Sequence, residues 1–422
     1  MNIQSVLKTL GPGILFASTA IGVSHLVQST QAGSKFGYGL LWAVVLANLF
    51  KYPFFEFGSR YANKTGKSII DGYYQLSKFA FYMYLAITAV SMFLVSSAVL
   101  AVTAGFMENL FGIDAAIGQR NVTLTLLIFI CAGILLIGEY KILDKLIKVI
   151  GVTLLITTLL ALIFAAVKFG FQDKTLFPSG ILSKKENIPF LFALMGWMPT
   201  AVDLSAWNSL WTVERIKETG YQPTLKETLF DFNFGYIVSA LLAVVFLSLG
   251  TLLVYETGQE IPGQAVPFAD FVVNIYTKSI GDWSYLLIAV SSFCIMFGTA
   301  IAVFDGYARA VKRSSEILVE KQGKKISTHL MYRLSLLVLV IGTFAVILYF
   351  QNDPEGFGNL IKVATITSFL IAPIIAIFNF ILVQKKFMGK GGNPPVWLNI
   401  LAIFGIIFLF GFSVFYVVFL LG

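Results

Sequence analysis

An all-α integral membrane protein of eleven spans, folded as a five-plus-five inverted repeat with one helix added, is the architecture this sequence predicts. Composition is the first reason. Of 422 residues, 57% are hydrophobic and 12% charged, with a mean hydropathy of +0.83, too few charges to cover a soluble surface. The second reason is pattern: the apolar runs are continuous rather than alternating and reach the ~20 residues a bilayer crossing needs, which argues for helices over a barrel. The third is a pair of interruptions. Gly22-Val23-Ser24-His25 breaks the first run and Gly196-Trp197-Met198-Pro199-Thr200 the sixth, and interrupted helices in matching positions of two halves mark a transporter's substrate site.

Span 1 (8–33) opens on Gly11-Pro12-Gly13; its start, ending Phe16-Ala17-Ser18-Thr19-Ala20, imitates a signal peptide, but the spans that follow favour a retained helix. Span 2 (38–61) carries Lys51 and Glu56 on either side of Pro53, and span 3 (79–107) has no acidic residue. Spans 4 and 5 (121–138 and 142–167) are separated by a short charged turn, and span 6 (189–212) contains the second break. Span 7 (230–255) begins beside Asp231, span 8 (283–311) ends on Asp305-Gly306-Tyr307-Ala308-Arg309, and span 9 (329–350) follows a basic stretch ending at His329, read as a solvated loop or interface residue. Span 10 (359–384) holds Thr365, Thr367 and Ser368, and span 11 (394–420) completes the set. Residues 1–170 and 171–390 are the two inverted units, with 391–422 appended; the polar loops are too short to be soluble domains.

The net charge of +8 lies between the apolar runs and forms no basic face, so no nucleic-acid partner is expected. Most of the 30 Lys and Arg fall in loops on the side of the N-terminus, from Lys8 and Arg60–Lys78 through Lys141–Lys148, Arg215–Lys226 and Arg309–Arg333 to Lys385–Lys390. A positive-inside reading makes this a multi-pass cell-membrane protein with a cytoplasmic N-terminus, an external C-terminus and lipids as neighbours. Cys131 and Cys294 sit inside apolar runs and offer neither a disulfide framework nor a metal cluster. No cofactor is expected, and oligomeric state is left open.

Gly11-Pro12-Gly13, Gln31-Ala32-Gly33, Phe36-Gly37-Tyr38, Leu40-Leu41-Trp42, Ala47-Asn48 and Thr65-Gly66-Lys67 form a dense string, to which Met198-Pro199 and the stretch Gly138 to Ile150 add. Over these residues the chain resembles the NRAMP family, proton-coupled transporters of divalent transition metals with the LeuT-type fold. The resemblance implies a secondary active transporter in which spans 1, 2, 6 and 7 rock against the rest. Departures from the family pattern are as informative. Gly22 and His25 stand where the family has the Asp and Asn of its Asp-Pro-Gly-Asn motif, Thr200 stands where it has the His of Met-Pro-His, and its acids in span 3 and glutamine in span 10 are missing, Ile371 and Ala372 preceding Pro373.

Losing the span 1 carboxylate weakens any site for a dehydrated divalent ion. The metal ligands that remain are His25, Met198 and Asp203, helped by carbonyls near Thr19 and Met195, with Gly22, Ser24, Trp197 and Thr200 lining the gap. A metal ion moved with altered selectivity and altered or absent proton coupling is the first expectation; a small organic solute or a different ion is the alternative. Asp203 shares a face with Thr200 and, at membrane depth, must either work or be paired, Ser205 and Asn208 being its local partners.

Coupling or gating candidates are Lys51, Glu56 and Asp305. An ion pair within span 2 is the ordinary reading of Lys51 and Glu56, whereas a Lys51 turned into the cavity would repel a divalent ion and take the place of a coupling cation. Asp305 reads as a gate partner of Arg309 or as a snorkelling end residue. Trp197 and Trp207 suit an aromatic wall for an organic ligand, or ordinary packing. No hydrolase-like triad or ATP-binding loop is present and only two histidines exist, so an enzyme is not expected.

Overall fold

The computed structural model describes residues 8–119, 121–170, 178–259, 261–323, 327–351, 355–389 and 391–421, and among them the regular structure is helical without strands. Among the described residues eight stretches are long and apolar enough to cross a membrane.

Helix α1 (Pro12–Ala20) starts on a proline, whose missing N–H costs nothing in a first turn. Its N-terminus receives a carboxylate from elsewhere in the chain: Asp231 accepts from the backbone N–H of Gly11 at 3.0 Å and of Gly13 at 2.7 Å, placing an anion at the positive end of the helix. The helix stops at Ala20, Gly22 is non-helical (φ −136°, ψ −123°), and Val23–Ser29 form a wide π-helical turn leading into α2 (Thr30–Phe36). The predicted break is therefore concentrated at Ile21–Gly22. A short 3-10 turn, Gly37–Leu40, precedes α3 (Leu41–Thr65), which continues through Pro53. Next come α4 (Ile69–Leu76), opened by a Ser68/Asp71 capping box, α5 (Lys78–Phe111) and the short α6 (Ile113–Ile117).

Where the sequence predicts spans 4 and 5 as two helices, the structure has one helical stretch of 48 residues, α7 (Val122–Phe169). Both of its ends nonetheless reach one element, α11 (Ala265–Ile280, 16 residues). Thr123 lines a cavity with Gln264 and Ala265, and Lys168 Nζ donates to the carbonyl of Lys278 at 2.6 Å. A straight helix of that length would part its ends by ~72 Å, against ~24 Å for α11, so α7 cannot run straight between them. Side chains of residues 138–154, including Lys141–Lys148, lie outside the described set, as do Lys324, Lys325 and Lys390.

In the second half, α8 (Ile188–Trp197) and α9 (Ser205–Thr219) flank the other break. Then follow α10 (Leu225–Leu253), started by a Thr224/Glu227 capping box, α11, α12 (Tyr285–Lys321), α13 (Thr328–Gln351), α14 (Gly356–Leu382), α15 (Lys385–Met388) and α16 (Val396–Leu421). His329 is exposed at the start of α13.

Glycines let the helices beside the breaks touch backbone to backbone, the packing mode that serves when lipid removes the hydrophobic drive. A Cβ on Gly33 would lie 1.9 Å from the carbonyl of Leu247 in α10, and one on Gly58 in α3 would lie 2.4 Å from the carbonyl of Ser205 in α9. Loop residues from distant parts of the chain meet in two places: Lys67, Asp71, Lys217 and Arg313 line one cavity, with Arg313 paired to Asp71 at 2.6 Å, whereas Asp114, Asn121, Gln264 and Gln351 line another. Gly33→Val is expected to abolish the monodisperse size-exclusion peak of the purified protein. Gly358→Val, whose new side chain meets nothing within 4 Å, is expected to leave that peak intact.

Candidate functional site

A helix interrupted at membrane depth strands the carbonyls of its last turn, with no water to serve them. Helix α8 ends at Trp197, Met198 is extended, the Met198–Pro199 peptide is cis, and helical structure resumes at Val202–Leu204. The stranded oxygens converge on one nitrogen. Lys51 Nζ, reaching across from α3, donates to the carbonyls of Met195 at 2.6 Å, Gly196 at 2.7 Å and Thr200 at 3.3 Å, which uses every proton of the ammonium. The side chain is 0% exposed.

This corrects the ion pair expected between Lys51 and Glu56. Glu56 instead binds Arg60, at 2.5 Å to Nη2 and 2.9 Å to Nε, and Arg60 goes on to the carbonyls of Gly392 and Asn393. Helical geometry explains the choice: positions five apart lie ~140° round the helix, whereas positions four apart share a face.

The first break is served by neutral groups. Thr299 of α12 donates its hydroxyl to the carbonyl of Ser18 at 2.8 Å, with that of Ile21 at 3.4 Å. Gly22 permits this approach, since a Cβ there would meet Thr299 Oγ1 at 2.6 Å. Ser24 donates to the carbonyl of Ala20, and its oxygen lies 2.7 Å from His25 Nδ1. The other ring nitrogen, Nε2, is 2.9 Å from the carbonyl of Ser239 in α10. His25 is thus fully buried, with both nitrogens engaged, and its ring stands edge-on to Phe246. The Thr19 hydroxyl turns back to the carbonyl of Leu15.

Asp203, one turn beyond the second break, is 3% exposed. Its Oδ2 accepts from Ser91 of α5 at 3.0 Å, in place of the local partners Ser205 and Asn208; Ser205 is taken by Asn379. Among the described residues Asp203 Oδ1 is buried without a hydrogen-bond partner, so this carboxylate retains polar capacity for a ligand or water. Asp203 follows by three residues Thr200, whose carbonyl Lys51 binds. No three His, Cys, Asp or Glu side chains come together among the described residues.

The two tryptophans occupy different walls. Trp197 donates to Ser368 of α14 at 2.9 Å, and Trp207 packs edge-on against Tyr307 with centroids 4.6 Å apart. Asp305 is fully buried and cannot snorkel; it binds Arg309 at 2.7 Å, Trp211 at 3.0 Å and Tyr332 at 2.9 Å, tying α9, α12 and α13 together. Sequence reasoning missed Ser91, Ser239, Thr299 and Tyr307. An isolated hydroxyl in an apolar run is the only local sign such residues give, and helices use many to bond their own carbonyls.

Comparison with known proteins adds an independent line. The family model described as natural resistance-associated macrophage protein-like matches residues 13–419. A Pasteurella multocida (strain Pm70) protein, uncharacterized protein PM0681, is 33% identical over 420 residues, 98% of this chain and 93% of its own length. Among solved structures, a manganese transporter of Eremococcus coleocola in complex with an aromatic bis-isothiourea substituted compound superposes with a TM-score of 0.66 at 14% identity, covering 97% of this chain and 86% of its own. MhsT in complex with L-phenylalanine gives 0.67 at 12% identity, with 98% of each chain covered. At such identities these structures speak for the fold, the one shared by LeuT-type transporters.

The rearranged pairing in α3 can be measured. Glu56→Gln is expected to cost about 3 kcal/mol by leaving the charge of Arg60 buried without its counter-charge. A double-mutant cycle on thermal or denaturant unfolding is expected to give strong coupling between residues 56 and 60 and less than about 0.5 kcal/mol between 51 and 56.

Proposed function

The chain belongs to the Nramp family, and from that premise we propose that it is a secondary transporter moving a metal ion by alternating access, on a site between the breaks of spans 1 and 6. Paired interruptions, each served by polar groups from another helix, are the observation that carries the reading. A transporter of manganese with the same fold supports the class of cargo. The family's chemistry is carriage, so no enzymatic role is read into the buried polar groups.

In this reading the chain crosses the cell membrane eleven times. The Pro12–Thr65 stretch holds two crossings around the turn at Gly37–Leu40, and α7 supplies two by doubling back. The odd count leaves the N-terminus in the cytoplasm and the C-terminus outside. Residues 1–170 and 171–390 are the inverted units and 391–422 the added helix. Support comes from reciprocal packing, α1 and α2 on α10 and α9 on α3, the relation a twofold axis in the membrane plane would generate.

We assign the ion to Met198, Asp203 and His25, with Thr19, Gly22, Ser24, Met195, Trp197 and Thr200 around it. His25 must release Ser239 to act as a ligand, and Met195 must release Lys51. Proton coupling is altered or absent in this account, because span 3 offers the hydroxyl of Ser91 where the family carries acids and Thr200 replaces a histidine. Asp305 and Arg309, with Glu214 at 3.5 Å from Arg309, form the gate between α9 and α12. One observation favours the alternative of a small organic solute: the fixed positive charge of Lys51, next to the fold likeness with an amino-acid-bound structure.

Uptake of manganese into proteoliposomes tests this. Slow, saturable uptake is expected, reduced about tenfold or more by Asp203→Asn and Met198→Ala, since charged and soft ligands hold the ion, and without acidification of the lumen. Uptake that survives both substitutions, or that carries protons in step with metal, contradicts the assignment.

A further inference from the structure

We propose that the ammonium of Lys51 is a tethered cation occupying a cation-binding position of the span 6 break, and that it sets which ions the site admits. The inference rests on reading the gap between the breaks as the transport site.

The oxygens of Met195, Gly196 and Thr200 belong to the C-terminal end of a half-helix and the unwound backbone after it. There the helix dipole is negative and carbonyls lack donors. Such ends are where broken-helix transporters coordinate their cations. Here they face one nitrogen at 2.6, 2.7 and 3.3 Å, a partial shell that replaces water around a buried charge. Satisfying stranded carbonyls does not by itself need a charge. At the other break, Thr299 meets the carbonyl of Ser18 with a neutral hydroxyl. A full positive charge at the second break therefore does something a hydrogen-bond donor alone does not.

What it does follows from charge. Asp203 lies three residues beyond Thr200, whose carbonyl Lys51 binds, and Glu56, on the same helix as Lys51, is spent on Arg60. With Lys51 in place its charge and that of Asp203 cancel; without it, the pocket keeps the net charge of Asp203. A divalent ion within ~5 Å of a fixed ammonium at an effective dielectric of ~20 is opposed by far more than tenfold in affinity. Lys51 thus excludes a dehydrated divalent ion from the carbonyls of Met195 and Gly196, and any cargo must bind without them or displace the ammonium.

Manganese chloride titrated calorimetrically into purified full-length protein, with thermal unfolding followed in the same buffers, tests this for wild type, Lys51→Gln, Lys51→Met and Lys51→Arg. Gln keeps donors on the carbonyls without charge, Met removes both, and Arg keeps the charge. Both neutral variants are expected to bind manganese roughly tenfold or more tightly than wild type, with a Tm that climbs with manganese; Arg is expected to show neither. Wild-type binding that the neutral variants do not improve overturns the role of Lys51 and leaves the metal cargo standing. No binding by any variant, although each unfolds cooperatively, overturns the metal reading and the Lys51 proposal together. Should both neutral variants fail to fold while Arg folds, manganese in the purification buffer is expected to rescue them, as a free cation taking the tethered one's place; failure of that rescue overturns the proposal.

Discussion

A helix broken in the middle of a bilayer must borrow hydrogen-bond donors from its neighbours, and in this protein the decisive loan is the ammonium of Lys51 on the carbonyls of Met195, Gly196 and Thr200. Because that nitrogen must reach the break, α3 has to lie against α8 and α9. Gly58 permits the contact by leaving room for the carbonyl of Ser205. A charge in a dry interior needs a counter-charge nearby, and Asp203, three residues beyond Thr200, is the acid next to the break, itself held by Ser91 from α5. One local defect in one helix thus fixes the relative placement of spans 2, 3 and 6.

The first break is arranged by the same logic with softer means. Thr299 covers the carbonyl of Ser18, Ser24 covers that of Ala20, and His25 bridges to Ser239 on α10. Hydroxyls and an imidazole exchange partners at lower cost than a buried ammonium, so span 1 is the half of the site better able to change its bonds during a transport cycle. Away from the site, Asp231 at the start of α1 and Asp305 among α9, α12 and α13 place buried carboxylates where each has a defined donor set. Each of these buried ionisable groups therefore has a positional task, as the expense of intramembrane charge requires.

Much of this was legible in the residue order. Continuous apolar runs gave the helices, Gly22 and Met198-Pro199 gave the interruptions, and Asp203 stood out as an acid where none should be. What was not legible is who meets whom. Lys51 and Glu56 are neighbours in sequence and lie on different faces of α3, while the carbonyls that Lys51 binds are 144 to 149 positions away. His25 finds its partner 214 positions away. Trp197 and Trp207 read in the sequence as one aromatic wall or as ordinary packing, and the non-helical stretch between them sends each to a different wall. A break in an apolar run signals exposed carbonyls, that of Met195 among them, but not the distant side chain that meets them, so the composition of the site is visible only once the break has a shape.

Anomalous diffraction at the manganese edge, from crystals of wild type and of Lys51→Gln soaked in the same manganese solution, tests the central claim most directly. The account predicts a peak at roughly 2.0–2.5 Å, an ordinary metal–oxygen distance, from the carbonyl oxygens of Met195 and Gly196 in the Lys51→Gln protein. In wild type, where the ammonium holds those oxygens, it predicts none at that position. A manganese peak on these carbonyls in wild type with Lys51 still bonded to them, or none in the Lys51→Gln protein with the break intact, would contradict it.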